Sequence, residues 1–289
     1  MNTRLTAIAL ACVAFALFAT MSALAKFLGD EFPTTQVVFF RSLFALIPLA
    51  LIIDYSRIGQ LLRVHRPGLL ALRALMGLIA MLLFFAAVTV LPLADVVALA
   101  FAAPIFTTVL GHVFLGERVG VHRWAAVTVG LVGVIVMVRP GSELFSAWSL
   151  LPLGSALFYS VGVIMVRTLS KTESPATIVL YFSLFAAATT GSASIFTWHT
   201  PLTSDLVLLV AMGVAGGVMQ LCAINALKRA EVTVIAPFEY TSLLWSAALG
   251  YLIWHEVPGY HIWAGAVLVG AAAIYIIIRE ARAQPRAAS

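Results

Sequence analysis

The chain has 289 residues, of which 62% are hydrophobic and 10% are charged, and its mean hydropathy is +1.06. Soluble domains have about 45–50% apolar and about 25% charged residues, so this composition excludes a water-soluble globular fold. The formal net charge of +5 would favour a nucleic-acid partner in a soluble protein. Here the basic residues lie in short loops between apolar runs, where they act as membrane topology signals, and no nucleic-acid partner is expected.

Ten apolar runs follow one another along the chain. A helix that crosses a bilayer needs about 20 mostly apolar residues. We therefore predict transmembrane helices 1 to 10 at residues 5–25, 34–53, 70–90, 94–115, 122–138, 148–166, 176–197, 205–226, 232–254 and 261–278. The runs are apolar on all sides and do not alternate as barrel strands do, so the sequence predicts an all-α polytopic membrane protein.

The first run resembles a secretory signal peptide, because Arg4 precedes it and Ala23-Leu24-Ala25 resembles a cleavage site. Its apolar stretch exceeds the 7–15 residues that are typical of a signal. We therefore expect this helix to be retained in the mature protein.

The distribution of Lys and Arg predicts the orientation. With a cytoplasmic N-terminus, fourteen of these residues fall on the cytoplasmic side, and only Lys26 and Arg139 fall outside. This positive-inside bias predicts that both termini are cytoplasmic and that the chain lies in a bacterial-type inner membrane.

An internal repeat relates the two halves of the sequence. Residues 111–124 (GHVFLGERVGVHRW) and 250–263 (GYLIWHEVPGYHIW) share Gly, Glu, His and Trp at a constant offset of 139 residues. We predict two five-helix halves, residues 1–140 and 141–280, followed by a short cytoplasmic tail at 281–289. Because five is odd, the second half is inverted, which is an architecture of secondary transporters. The alternative is a duplicated scaffold that transports nothing.

Two motifs carry a family resemblance. Pro104 precedes Leu115-Gly116-Glu117-Arg118, and residues 236–240 lead to 254–258 in the second copy. Both copies resemble the EamA domain of the drug/metabolite transporter superfamily. The resemblance implies ten helices and a central cavity shared by helices 1, 3, 4, 6, 8 and 9, and it leaves the substrate open. Residues 21–26 and 33–41 resemble members associated with riboflavin or S-adenosylmethionine uptake.

Glu239 is an ionisable residue about two turns inside predicted helix 9. A carboxylate in the hydrocarbon region costs several kcal/mol and is a functional candidate for that reason. It would serve as a proton-coupling or cation-contacting group in the cavity, or it is neutralised by a neighbouring helix or at the interface. For Arg41 in helix 2 we expect a structural role, in which it pairs with a carboxylate or with helix-end carbonyls, and substrate binding is the alternative.

Uncharged polar and aromatic residues complete the candidate substrate site. The residues that interrupt the apolar runs and could contact a substrate, together with Glu239, are Gln220, Tyr240, Tyr159, Trp245, Thr20 and Thr107. Tyr159, Tyr240 and Trp245 could stack on a planar ring, and Trp245 could equally be a packing residue. Pairs of small residues four positions apart, such as Gly213 and Gly217, are expected at helix contacts.

These features predict a secondary active transporter that moves a small amino-acid-, nucleotide- or cofactor-like metabolite by alternating access, with the bilayer as its environment and a proton as a candidate coupling ion. A scaffold or sensor and an intramembrane enzyme are the alternatives. An enzyme is not expected, because neither a G-x-S-x-G nor an H-E-x-x-H motif occurs. No metal or cofactor is expected either, since Cys12 and Cys222 lie in distant apolar runs.

Overall fold

A computed structural model describes residues 3–52, 58–115, 121–139, 146–169, 171–229, 238 and 241–283. All regular elements in this part of the chain are helical. The α-helices are α1 (Thr3–Gly29), α2 (Thr34–Phe44), α3 (Leu46–Ile52), α4 (Ile58–Leu62), α5 (Pro67–Val90), α6 (Leu93–Ala100), α7 (Ala103–Leu115), α8 (Val121–Val138), α9 (Leu150–Leu169), α10 (Pro175–Ser194), α11 (Thr203–Arg229), α12 (Thr241–Trp254) and α13 (Tyr260–Ala283).

Within the described residues, seven helical stretches are long and apolar enough to cross a membrane, and three shorter apolar helices accompany them. We number these ten apolar segments in chain order: α1, α2 with α3, α5, α6 with α7, α8, α9, α10, α11, α12 and α13. Each overlaps one of the ten predicted runs. The first part of the ninth run, residues 232–237, lies outside the described residues, as does Glu117 of the repeat motif.

Two apolar segments are interrupted, and a proline explains each interruption. A proline inside a helix lacks an N–H donor, and its ring clashes with the carbonyl four residues earlier. Pro48 follows the break between α2 and α3 at Ala45, and Pro104 follows the break between α6 and α7 at Phe101 and Ala102. The chain turns tightly there, since the Phe101 N–H bonds the Ala98 carbonyl at 3.2 Å.

The helices pack mainly against partners that are distant in sequence. α1 packs against α11, α12 and α5, whereas α9 packs against α5 and α7. Two further pairs are α2 with α10 and α8 with α13. The largest buried apolar cluster therefore combines residues from both ends of the sequence.

Small residues lie where these helices approach most closely, as the sequence predicted for Gly213 and Gly217. A β-carbon at Gly217 would lie 2.8 Å from the Ala45 carbonyl oxygen and would also meet Pro48. At the α8–α13 contact, a β-carbon at Gly133 would lie 2.8 Å from the Gly265 carbonyl oxygen. Such backbone approaches take the place of the hydrophobic driving force that lipid removes.

Candidate functional site

One end of the bundle is closed by a charge cluster that joins three loops or helix ends. Lys26, near the end of α1, is 8% exposed and forms an ion pair with Glu256, which follows α12. The Lys26 ammonium also donates to the Leu91 carbonyl at 2.8 Å and lies 5.2 Å from the centre of the Trp254 ring. A buried cation is therefore balanced by a carboxylate and a carbonyl from outside its own helix. We call this the Lys26 end.

Glu256 has a second role in this cluster. Its other carboxylate oxygen accepts the Leu93 N–H at 2.9 Å, at the first residue of α6. An acid at a helix N-terminus is favoured by the helix dipole and by the unpaired N–H groups. Asp95 in the first turn of α6 is a local candidate for this cap, and Asp30 and Asp95 are acids that could pair with Lys26. Glu256 fills both roles, while Oδ1 of Asp95 is buried with no hydrogen-bond partner in the described part of the chain.

The opposite end of the bundle has a carboxylate that binds backbone groups. Glu173, in the loop before α10, accepts the N–H groups of His65 and Arg66 at 2.7 and 3.0 Å. Burial acts to raise the pKa of Glu173, but these hydrogen bonds and the nearby His65 ring outweigh it and hold the pKa below its usual value. In addition, the Thr177 hydroxyl donates to the Leu61 carbonyl at 3.0 Å. We call this the Glu173 end.

A fully buried amide makes a comparable attachment at the Lys26 end. Gln36, in the first turn of α2, is 0% exposed. Its amide nitrogen donates to the His199 carbonyl at 2.5 Å, and its amide oxygen accepts the His199 N–H at 3.0 Å. Gln36 was not among the site residues predicted from the sequence, although an amide among apolar residues is a signal by which it could have been identified.

Tyr159 is the predicted site residue with the most informative position. Tyr159 lies at the middle of α9 and is 56% exposed, whereas Pro152, Ser155 and Gly162 on the same helix face are buried. Ser155 donates to the Ala80 carbonyl of α5 at 2.8 Å, so this face is directed toward other helices. An exposed phenol within a buried face indicates a space between the helices at this depth.

The other predicted site residues are distributed over several helices. Thr20 is exposed on α1, Gln220 has a buried amide oxygen with no hydrogen-bond partner in the described part of the chain, and Thr107 is half-buried on α7. Thr20 and Gln220 lie on the packed pair α1 and α11. Trp245 is 49% exposed on the α12 face that also holds Leu252, which is 71% exposed. Glu239 and Tyr240 lie outside the described residues.

Two buried arginines have unsatisfied donors. Among described residues, Nε and Nη1 of both Arg41 and Arg73 are buried without a hydrogen-bond partner. The expected carboxylate or carbonyl partner of Arg41 is therefore not found at these two atoms. Arg73 is one of the fourteen basic residues counted on the cytoplasmic side and was not a predicted site residue, although it lies six residues inside α5. In the same described residues, no three His, Cys, Asp or Glu side chains are grouped as metal ligands would be.

Comparisons with known proteins identify relatives over nearly the whole chain. The profile of the EamA-like transporter family matches twice, at residues 5–139 and 146–278. An S-adenosylmethionine uptake transporter of Rickettsia bellii is 27% identical over 91% of this chain and 90% of its own. A riboflavin transporter of Vibrio cholerae is 27% identical, covering 93% and 92%. A pseudopaline exporter of Pseudomonas aeruginosa is 30% identical, covering 92% and 93%.

A protein of known crystal structure has the same overall fold. It superposes with a TM-score of 0.64 at 20% sequence identity, and the match covers 96% of this chain and 98% of that chain. At this identity the likeness concerns the fold alone.

Proposed function

Since the chain belongs to the EamA-like transporter family and is a multi-pass membrane protein, we propose that it is a secondary active transporter that moves a small metabolite by alternating access between two inverted five-helix halves. The proposed halves are residues 1–140 and 141–280, and the proposed spans are the ten apolar segments. The observation that carries this proposal is the symmetry of the helix contacts.

The packed helix pairs support a two-fold relation that exchanges segment n with segment n + 5. Segment 1 packs against segment 8 (α1 with α11) and against segment 9 (α1 with α12), and segment 2 packs against segment 8 (α2 with α11). After the exchange, segment 6 should pack against segments 3 and 4, and segment 7 should pack against segment 3. These contacts are observed as α9 with α5, α9 with α7 and α10 with α5. The pairs α2–α10 and α8–α13 map onto themselves. Related halves whose conformations can be swapped are the structural basis of alternating access.

Two side-chain attachments follow the same relation. Gln36 and Thr177 are each the third residue of their helix, in α2 and α10 respectively. Gln36 binds backbone that follows α10, whereas Thr177 binds backbone that follows α3. The two helices therefore hold each other's ends, one at the Lys26 end and one at the Glu173 end. This arrangement supports an antiparallel, inverted pairing of the halves.

The Lys26–Glu256 pair supplies the closure that such a mechanism needs on one side. It joins segments 1 and 9 with the start of segment 4, all of which the family resemblance assigns to the cavity wall. In the proposed cycle this pair breaks when the Lys26 end opens. With the N-terminus cytoplasmic, the Lys26 end would face the outside of a bacterial inner membrane.

We propose that the substrate contacts lie at mid-depth between the halves. Tyr159 gives the geometric support, because it is exposed within a buried face. The remaining proposed contacts are Thr20, Thr107, Gln220, Tyr240, Trp245 and Glu239, the last as a proton- or cation-binding group. Trp245 has the weakest support, since it shares its face with strongly exposed Leu252.

The relatives support a small metabolite as substrate without selecting one. Their names include uptake of S-adenosylmethionine, transport of riboflavin and export of pseudopaline. They therefore differ in both cargo and direction, and we propose neither a single cargo nor a direction for this chain.

Reconstitution tests the proposed function. The purified protein in liposomes would be screened for uptake of labelled amino acids, nucleotide derivatives and cofactors, with protein-free liposomes as the control. We expect saturable uptake of at least one compound class, together with its counterflow. Normal folding with no transport across the screen would favour a scaffold, and turnover of a compound inside detergent micelles would favour an enzyme.

A further inference from the structure

The two buried arginines occupy equivalent places in the two halves. Arg41 lies where α1, α2 and α11 meet: a β-carbon at Gly216 would lie 3.1 Å from its Nε and 2.9 Å from Sδ of Met21. These helices are segments 1, 2 and 8. The exchange of segment n with n + 5 converts them into segments 6, 7 and 3, which are α9, α10 and α5.

Arg73 lies at that second junction. Its guanidinium is 5.0 Å from the centre of the Phe182 ring of α10, and a β-carbon at Gly162 of α9 would lie 3.6 Å from its Cδ. Gly77 of α5 faces the same ring, with Cε2 of Phe182 at 2.9 Å from its β-carbon position. Tyr159 also interacts electrostatically with Arg73.

The equivalence extends to individual residues. Gly77 corresponds to Gly216 at an offset of 139 residues, and Arg41 corresponds to Phe182 at an offset of 141, the offset that also relates Gln36 to Thr177. Phe182 is the residue on which Arg73 lies. One junction therefore receives its cation from segment 2 and the other from segment 3. Duplication alone would place the two arginines at corresponding positions, so their convergence on one kind of junction requires another reason.

Each cation is energetically costly where it lies. An arginine keeps its charge in proteins, and a charge in the hydrocarbon region costs several kcal/mol unless it is paired. Among described residues, the ion pairs are those of Lys26 and His65, and neither involves Arg41 or Arg73. Buried donors without partners are rare and often indicate an absent ligand. The planar fork of a guanidinium matches a carboxylate with two parallel hydrogen bonds.

The two junctions differ in exposure in the way that alternating access requires. Arg41 is 3% exposed, on the side where the Lys26–Glu256 pair closes the bundle. Arg73 as a whole residue is half-buried, although its Nε and Nη1 are buried, and Tyr159, with which it interacts, is 56% exposed. If the halves exchange conformations, the first junction becomes the accessible one and the second becomes sealed.

We propose that Arg41 and Arg73, which lie at symmetry-related junctions, are two binding groups for a carboxylate of the transported metabolite, Arg73 in the conformation described here and Arg41 in the opposite one. This inference rests on the proposed transport function and adds the substrate class, a small molecule with a carboxylate beside a planar or apolar body. Tyr159 supplies the exposed surface for that body, while the buried Phe182 ring supports the Arg73 guanidinium.

Arginine-specific labelling tests the proposal without a known substrate. The purified wild-type protein would be treated with phenylglyoxal, and adducts at Arg73, Arg41 and exposed Arg63 would be counted by mass spectrometry. The probes are benzoate and its neutral analogue benzamide. At about ten times its dissociation constant, benzoate should slow labelling of Arg73 about tenfold, because about a tenth of the sites stay free. Benzamide should not, and Arg63 should label equally in all samples.

Opening the Lys26 end provides the second arm. In Lys26→Gln, we expect Arg41 to label faster than in the wild type and Arg73 to label more slowly, because the two junctions exchange accessibility. Failure of benzoate to protect Arg73, or equal changes at both arginines in Lys26→Gln, would overturn the proposal. Neither readout depends on transport, so these outcomes are independent of the liposome screen.

Transport assays add a third arm once a substrate is found. Arg41→Lys and Arg73→Lys keep the charge but lose the bidentate fork, and we expect uptake of a carboxylate substrate to fall about tenfold to a hundredfold. Arg63→Lys is the matched control and should transport at the wild-type rate. A protein that moves only metabolites without a carboxylate, at unchanged rates in both variants, would retain the proposed function but refute this inference.

Discussion

Lys26 and Glu256 are 230 positions apart in sequence and form an ion pair that closes one end of the helix bundle. The carboxylate also holds the first N–H of α6, so one residue fixes the ends of three apolar segments. A contact of this kind can be both a structural tie and a closure that opens during transport.

Removing either partner of this pair should destabilise the closed conformation. Glu256→Gln leaves a buried ammonium without its charge partner, and we expect a loss of about 2 kcal/mol in unfolding free energy. A double-mutant cycle with Lys26→Met, followed by thermal unfolding in detergent, should give a coupling energy of about 1–3 kcal/mol. Exposed Glu31→Gln at the same end is the control. Strictly additive effects of the two substitutions would show that the pair contributes nothing.

Glu173 should make stability depend on acid pH. Its pKa in the folded protein lies below the ordinary 4.5, so its contribution is present above that value and disappears as the pH falls through the folded pKa. Between about pH 5 and pH 3, the melting temperature of the wild type should therefore fall more steeply than that of Glu173→Gln. Exposed Asp30→Asn should keep the wild-type slope. Parallel curves for the wild type and Glu173→Gln would contradict the assignment.

Gly217 should not tolerate a large side chain. Gly217→Leu places a β-carbon 2.8 Å from the Ala45 carbonyl oxygen and against Pro48, so α11 and the α2–α3 turn must separate. Overpacking of this kind costs about 1–3 kcal/mol. Gly68→Leu is the matched control, since nothing lies within 4 Å of its β-carbon position. Detergent-solubilised yield and melting temperature measure the outcome, and equal values for both variants would contradict the close helix contact at Gly217.

Glu239 is proposed as the titrating group of the cavity. Glu239→Gln keeps the shape of the side chain and removes its charge, so transport should fall and lose its dependence on pH near neutrality. Initial rates in liposomes from about pH 5.5 to pH 8 would measure this. A variant that folds, transports at the wild-type rate and retains the pH profile would exclude Glu239 from the mechanism.

The sequence was sufficient for the helices and for the family. Hydropathy alone predicted ten apolar runs, each of which overlaps an apolar segment of the described residues, because lipid requires long apolar runs whatever their partners are. The interruption at Ala45 was missed, although Pro48 carries the signal that Pro104 carries in the other broken segment. A proline within an apolar run is therefore a local sequence signal for such a helix break.

Contacts between residues that are far apart in sequence could not be predicted from the sequence. Lys26 had nearby acids as candidate partners, yet it binds Glu256, which only tertiary packing brings close. Arg73 was counted only as a cytoplasmic basic residue, although it lies within the helix predicted at 70–90. Its junction with α9 and α10 depends on how the halves interlock, and no periodicity along one segment encodes that.

The interlocking of the segments has a consequence for biosynthesis. The main packing partner of α1 is α11, which begins at Thr203. At about 5–20 residues per second, α1 waits roughly 10–50 s before Glu256 is synthesised and Lys26 can gain its carboxylate. α1 therefore cannot complete its packing before α11 is made, and a chain that stalls before Thr203 leaves an unpaired cation and an uncovered helix face in the bilayer. Membrane quality control would recognise such an intermediate by those two features.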